Sequence, residues 1–198
     1  MARRKPGEIS DVQFARMSER EVWKLLTGPA GALEVSWPGS DDERIDMETH
    51  IKWTFGLRLA LQIKAHSWLH APESRRTLVI KFDEKVDRVH SHPLFWYLFG
   101  YFPMKRLAFE SPLFLVESER FHRCADPRIV GDTITFQFQA SMKPDSHDQW
   151  LDCRVEPLQL AGRVMAILQL AQARQGLLAV PPPPIAAGSL VIGLERAA

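Results

Sequence analysis

Cysteine is scarce in this sequence: Cys124 and Cys153 are the only two, far apart and not in a C-x-x-C pair. That speaks against a disulfide framework and leaves His122 with Cys124 as a poor half-site for zinc, so a reduced, cytoplasmic protein is expected. Long apolar runs are also missing. No stretch approaches the roughly 18 consecutive apolar residues of a membrane span, and the basic start at Met1–Lys5 leads into no signal-peptide core. Neither charge dominates, since 25 Lys and Arg face 24 Asp and Glu for a formal net charge of +1. Any binding to nucleic acid therefore needs a local basic surface, not a global field. No internal repeat is apparent, and His90-x-His92 lacks further ligands at recognisable spacing.

What remains is a chain of 198 residues, 45% hydrophobic and 25% charged, suited to one domain with a sizeable core. Residues 1–178 read as that domain and 179–198 as a proline-rich tail. The tail is stiffened by Pro181–Pro184, with Ser189–Leu194 able to add a strand. Ile9–Leu26 has helical spacing at Val12, Ala15, Val22 and Leu26, and Thr27-Gly28-Pro29 ends it. Glu19 falls on the same face, where a carboxylate needs a partner or a purpose. It could pair with an arginine, or Ser18 and Glu21 could form a capping box that restarts the helix. Ala32–Trp37 and Thr77–Phe82 read as strands, Pro112–Glu117 as a buried strand, and Ile134–Phe138 as a half-exposed strand with residues 150–155 pairing to it. The aromatic run His92–Phe102 reads as a helix covering the sheet. Pro157–Gln175 is a second long helix, with Ala161, Val164, Met165 and Leu168 as its stripe. The expected class is α+β, a mixed sheet flanked by helices.

The most informative stretch runs from Arg44 to Trp68. Period-two alternation holds along Ile45–Trp53 and again along Leu57–His66, joined by Thr54-Phe55-Gly56. A three-residue loop sets Trp53 against Leu57, Glu48 against Gln62 and Asp46 against Lys64. One polar face would then hold a carboxylate, an amide and an ammonium. Asp46 is a candidate magnesium ligand, with the Gln62 side-chain oxygen and the Ile63 carbonyl as weaker ones. Lys64 would orient or deprotonate an attacking water, and Glu48 or Glu19 would add a further carboxylate. Residue types alone fit an ordinary solvated face with a cross-strand ion pair at least as well. His50 and His66 flank this cluster, and Arg75-Arg76 and Lys105-Arg106 are solvated pairs able to meet a DNA backbone.

The order Glu19–Leu26 ("ERxVxxLL"), Arg44-Ile45-Asp46, and Leu61-Gln62-Ile63-Lys64 resembles the PD-(D/E)XK nuclease superfamily, in the Q-x-K branch found among restriction endonucleases that act on modified DNA. "RLALQIKAH" (58–66) and "SPLFLVE" (111–117) are also similar to poorly characterised nuclease-like domains of bacterial defence loci and mobile elements. The resemblance implies a restriction-endonuclease-like fold and a nuclease dependent on Mg2+ or Mn2+. Asp46, Gln62, Lys64 and Glu19 would be catalytic, and Asp46, Gln62, Ile63 and Glu48 would contact metal. It implies nucleic acid, chiefly DNA, as the partner, with protein subunits or a second copy where both strands are cut. The alternative is an inactive module of the same fold that binds nucleic acid or a protein. Departures from the pattern are Arg44 where glycine is usual, the displaced Glu48, and the uncharged Gln62.

Overall fold

The computed structural model describes residues 9–28, 31–38, 45–54, 56–71 and 74–176; the proline-rich tail and Arg44 lie outside them. Helix α1 (Asp11–Thr27) starts with a reciprocal cap. Ser10 Oγ accepts from the Gln13 N–H at 3.1 Å, and the Gln13 side chain accepts from the Ser10 N–H at 2.9 Å. Two donors of the open first turn are thereby satisfied. Ser18 caps nothing: it sits within a continuous helix, donating to the Ala15 carbonyl at 2.8 Å, so the restart at Ser18–Glu21 does not occur. The buried face is Ser18, Val22 and Leu26; Val12, 71% exposed, is not on it.

The described strands, in chain order, are β1 (Leu33–Ser36), β2 (Met47–Ile51), β3 (Leu59–His66), β4 (Thr77–Lys85), β5 (Phe95–Tyr101), β6 (Glu110–Glu117), β7 (Arg128–Val130), β8 (Thr133–Ser141) and β9 (Arg154–Val155). Six form a mixed sheet in the order β1-β2-β3-β5-β6-β9, and three form an antiparallel sheet in the order β4-β8-β7. Among the described strands only β3 and β5 pair in parallel. Parallel neighbours need a crossover, usually a helix. Here the crossing chain carries β4, which pairs with β8 in the second sheet. The crossover thus lays one strand over a face of the first sheet.

Two cores result, one on each face. Leu59, Leu61, Ile63, Leu98, Leu113 and Leu115 pack beneath α1 and α3 (Leu160–Gly176), against Val22, Leu26, Val164 and Leu168. On the other face Tyr97, Phe99, Phe114 and Val116 meet Leu78, Ile80, Phe136 and Phe138 of the second sheet, with Phe121 of α2 (Ser118–Cys124). Phe99 and Phe138 stack at 4.0 Å. The α+β class, with a mixed sheet flanked by helices, is as expected. The aromatic run 92–102 is not a covering helix. It supplies β5, a strand buried on both faces, where no period-two signal survives and where aromatic side chains favour a pleated surface. Residues 154–155 pair with β6, not β8; the link to β8 is instead the Arg154 side chain, donating to the Ser141 carbonyl at 3.1 Å.

The 45–66 hairpin forms, in a different register. Met47 faces Leu61, Glu48 faces Ala60 and Thr49 faces Leu59, two residues from the expected pairing. The loop is longer than three residues because the chain turns early. Both the Thr54 N–H (3.1 Å) and hydroxyl (2.6 Å) bond to the Ile51 carbonyl. A slip of two keeps each strand residue on its own face, so β3 still presents Gln62 and Lys64 opposite to Leu61 and Ile63.

Gly100 sits at the irregularity between Phe99 and Tyr101 in the β5–β6 ladder. A Cβ there would meet the Phe109 ring at 2.5 and 2.6 Å and Leu113 Cδ2 at 2.7 Å, and both neighbours are buried. Gly100→Ala should destabilise the fold by about 1–3 kcal/mol. Gly162→Ala, on α3 with nothing within 4 Å of its would-be Cβ, should gain roughly 0.5–1 kcal/mol. Urea denaturation of both variants checks the pair.

Candidate active site

The site is built on β3 and on the strand that crosses over it. Gln62 is 3% exposed, and its Nε2 donates to Glu84 Oε1 at 3.3 Å. The Lys64 ammonium lies 3.7 Å from the same oxygen and 4.6 Å from the centroid of the Phe82 ring. Residues two apart on a strand share a face, which is why Gln62 and Lys64 both reach β4, and why Phe82 and Glu84 both point back. Glu84, 6% exposed, is a carboxylate enclosed between two sheets with an amide and an ammonium on one oxygen. A buried charge of this kind persists only when paired and hydrogen-bonded.

Asp46 meets β3 from the side. Its N–H donates to the Leu61 carbonyl at 2.9 Å, although Met47 already faces Leu61. Two residues against one make a bulge-like step, which re-aims a side chain. The Asp46 carboxylate accepts the Ile63 N–H at 2.6 Å, between Gln62 and Lys64 in sequence. The Ile63 group that touches Asp46 is therefore its N–H. Asp46 does not stand across from Lys64 as the short-loop register required, but it adjoins the Gln62–Lys64 segment along the strand edge.

The other two expected carboxylates are placed elsewhere. Glu48 accepts from Arg58 Nη1 at 2.8 Å, on the strand beyond Asp46. Glu19 pairs with Arg16 of its own helix at 3.4 Å. Helix α1 packs against Leu59, Leu61 and Ile63, the face of β3 opposite to Gln62 and Lys64, so the sheet itself separates Glu19 from the lysine. The expectation that Glu19 overhangs Lys64 is corrected accordingly. His50 faces Glu34 at 3.6 Å, and Arg76 and Arg106 both engage Glu110, at 2.9 and 3.0 Å.

Glu84 is the residue that sequence reading missed, and a signal for it exists. In "TLVIKFDEK" Leu78, Ile80 and Phe82 alternate inward, and two more residues bring Glu84 into phase with them. Ending the strand at Phe82 hid a carboxylate on an apolar face. A second polar chain lies nearby. The Tyr97 hydroxyl is 2.9 Å from His122 Nε2, and His122 Nδ1 is 2.7 Å from Ser91 Oγ. Burial, then the Glu84 charge, push the Tyr97 phenol above its ordinary range, so it stays protonated. Burial also brings His122 down to about 4.

No protein-family model matches the chain, and no curated protein is significantly similar to it. Among solved structures it is similar to Hjc of Archaeoglobus fulgidus, a Holliday junction resolvase from an archaeal hyperthermophile, at 11% identity and a TM-score of 0.34, over 74% of this chain and 99% of that one. No helix among the described residues is long and apolar enough to cross a membrane.

The His122 shift fixes a pH dependence. Above pH 6.5 the imidazole is neutral in folded and unfolded chains alike. Between about 6.5 and 4 only the unfolded chain takes up the proton, so folding stability falls as pH drops through that window. His122→Gln should therefore lose stability less steeply than wild type between pH 6.5 and 4.5, measured as urea midpoints. Parallel curves would refute the assignment.

Proposed function

We propose that the chain is a metal-dependent nuclease that hydrolyses phosphodiester bonds, with Asp46, Gln62, Lys64 and Glu84 as its site. The observation that carries this reading is the Glu84 carboxylate beside Gln62 and Lys64. It supplies the acid that a Q-x-K strand lacks, from a part of the chain 20 residues away. The sequence resemblance supports the same chemistry, with DNA as substrate and a setting in bacterial defence or mobile elements.

The donor chemistry fits a hard dication. Among the described residues no three His, Cys, Asp or Glu side chains cluster as a metal cage, but magnesium is commonly held by one or two carboxylates and its own waters. Asp46 and Glu84 would hold Mg2+ or Mn2+, which when bound would polarise the phosphate and lower the pKa of a water. Lys64 has the charge to offset the negative charge that grows on the phosphoryl oxygens. Its side chain is 22% exposed, so it can face a substrate while Glu84 anchors it. Gln62 acts on Glu84, fixing the carboxylate by its amide hydrogen bond. The Ile63 N–H does the same for Asp46.

A second reading has its own observation. Gln62 and Glu84 are almost wholly enclosed, and the ion pair already occupies the Glu84 oxygen nearest to Lys64. A site closed in this way also suits a non-catalytic module of the same fold that binds nucleic acid or a protein.

Purified protein with magnesium or manganese should nick supercoiled plasmid. Asp46→Ala, Lys64→Ala and Glu84→Gln should each reduce nicking by at least about a hundredfold while keeping the wild-type circular dichroism spectrum. Equal activity, or equal inactivity, of wild type and all three folded variants selects the non-catalytic reading.

A further inference from the structure

Past Lys64, β3 ends at His66, and the chain leaving it builds a cluster of three rings in edge-on and tilted contact. The Trp68 indole lies 4.7 Å from the His66 ring and 4.2 Å from the His70 ring, and the residue is 50% exposed. Its position is set by backbone bonding, not by burial. His70 exchanges both backbone hydrogen bonds with Thr77, at 2.8 and 2.9 Å, at the start of β4, and the Trp68 N–H points to His66 Nδ1 at 3.4 Å. The result is a half-exposed indole on an anchored backbone, an aromatic plate open to solvent.

A groove of about 580 Å3 opens beside the plate and runs onto the outer face of the second sheet. There the inward alternation of Leu78 and Ile80 leaves Lys81 outside, opposite Gln137. The Gln137 amide donates to Gln139 Oε1 at 3.2 Å, and Arg75 stands on the rim. Arg76 is engaged by Glu110, whereas neither Arg75 nor Lys81 makes an ion pair among the described residues. No carboxylate is among the groove's described lining residues. In a chain of almost balanced charge the groove offers two cations, exposed amides and an aromatic side chain, and the nearest acid along β4, Asp83, already accepts from the Thr135 hydroxyl at 2.6 Å.

We propose that this groove binds single-stranded nucleic acid, with a base stacked on Trp68 and the phosphate backbone following Arg75 and Lys81. Stacking on an exposed ring beside a basic track is the recurrent chemistry of single-strand binding, and amides can meet the edges of unpaired bases. A duplex keeps its bases stacked on each other and cannot offer one to the indole. His66 lies two residues beyond Lys64 on the same face of β3, a separation of about 6.6 Å. A strand on the plate therefore runs past the candidate active site; only this last step rests on the nuclease reading.

Fluorescence anisotropy with a short labelled oligonucleotide, in EDTA so that no cutting is needed, tests the groove. Wild type should bind single-stranded DNA or RNA more tightly than a duplex of the same sequence. Trp68→Ala should weaken single-strand binding about tenfold, and Trp68→Phe should restore most of it. Arg75→Ala with Lys81→Ala should weaken binding and flatten its salt dependence. Parallel DNA and RNA arms identify the strand. Binding of Trp68→Ala equal to wild type, duplex affinity equal to single-strand affinity, or displacement by polyaspartate as effective as by unlabelled oligonucleotide would each overturn the proposal. Trp68-dependent binding without metal-dependent nicking would count against the nuclease reading alone.

Discussion

Glu84 Oε1 is a buried polar link between two sheets that meet largely through apolar and aromatic side chains. Its carboxylate receives the Gln62 amide and the Lys64 ammonium from the first sheet while its own backbone belongs to the second. Removing water from a carboxylate costs several kcal/mol unless paired donors replace the lost hydration. The contact therefore restricts how β4 can lie over β3: a register slip by one would turn Glu84 to solvent and put Asp83 or Lys85 against the core. Around it Phe82 packs on Tyr97, Phe99, Phe121 and Phe136. The same strand thus delivers the apolar contacts that hold the sheets together and the charge that fixes their register.

The parallel pairing of β3 with β5 is what makes this geometry available. With a helix as the crossover, the Gln62–Lys64 face would meet a helical surface. With β4 as the crossover, that face meets a strand whose side chains alternate in step with its own. Glu84 and Phe82 then fall against Gln62 and Lys64 as a matter of shared period. The opposite face of β3 is committed to α1 and α3 through Leu59, Leu61 and Ile63. A single strand therefore separates a largely apolar core from a polar cluster, and Glu19 is on the other side of it.

Much of this was legible in the sequence. The span of α1 and its glycine stop, the alternation of β2 and β3, the buried run of β6 and the stripe of α3 are local patterns, and local patterns survive folding; the Ser10 cap was not among them. Gln62 and Lys64 share a face because their spacing is two, a fact independent of any partner. What was not legible depends on tertiary context. A strand apolar on both faces has no period to read, so Phe95–Tyr101 passed for a helix. The hairpin turns with Thr54 bonded to the Ile51 carbonyl in place of the expected three-residue loop, a choice that no local pattern announces. The β4 alternation, carried on by two residues, turns Glu84 inward, but its nearness to Lys64 follows only from the crossover.

The position of Asp46 bears most directly on chemistry. Because the chain steps out of register at Asp46, its carboxylate approaches β3 along the strand edge and takes the Ile63 N–H. Glu84 approaches the two flanking residues, Gln62 and Lys64, through their side chains. Two carboxylates thus converge on Gln62-Ile63-Lys64 along different directions. An ordinary cross-strand ion pair would need one of them at most, and a solvated sheet face would need neither enclosed. Each acid has its own donors on that segment, the Ile63 N–H for Asp46 and the Gln62 amide with the Lys64 ammonium for Glu84.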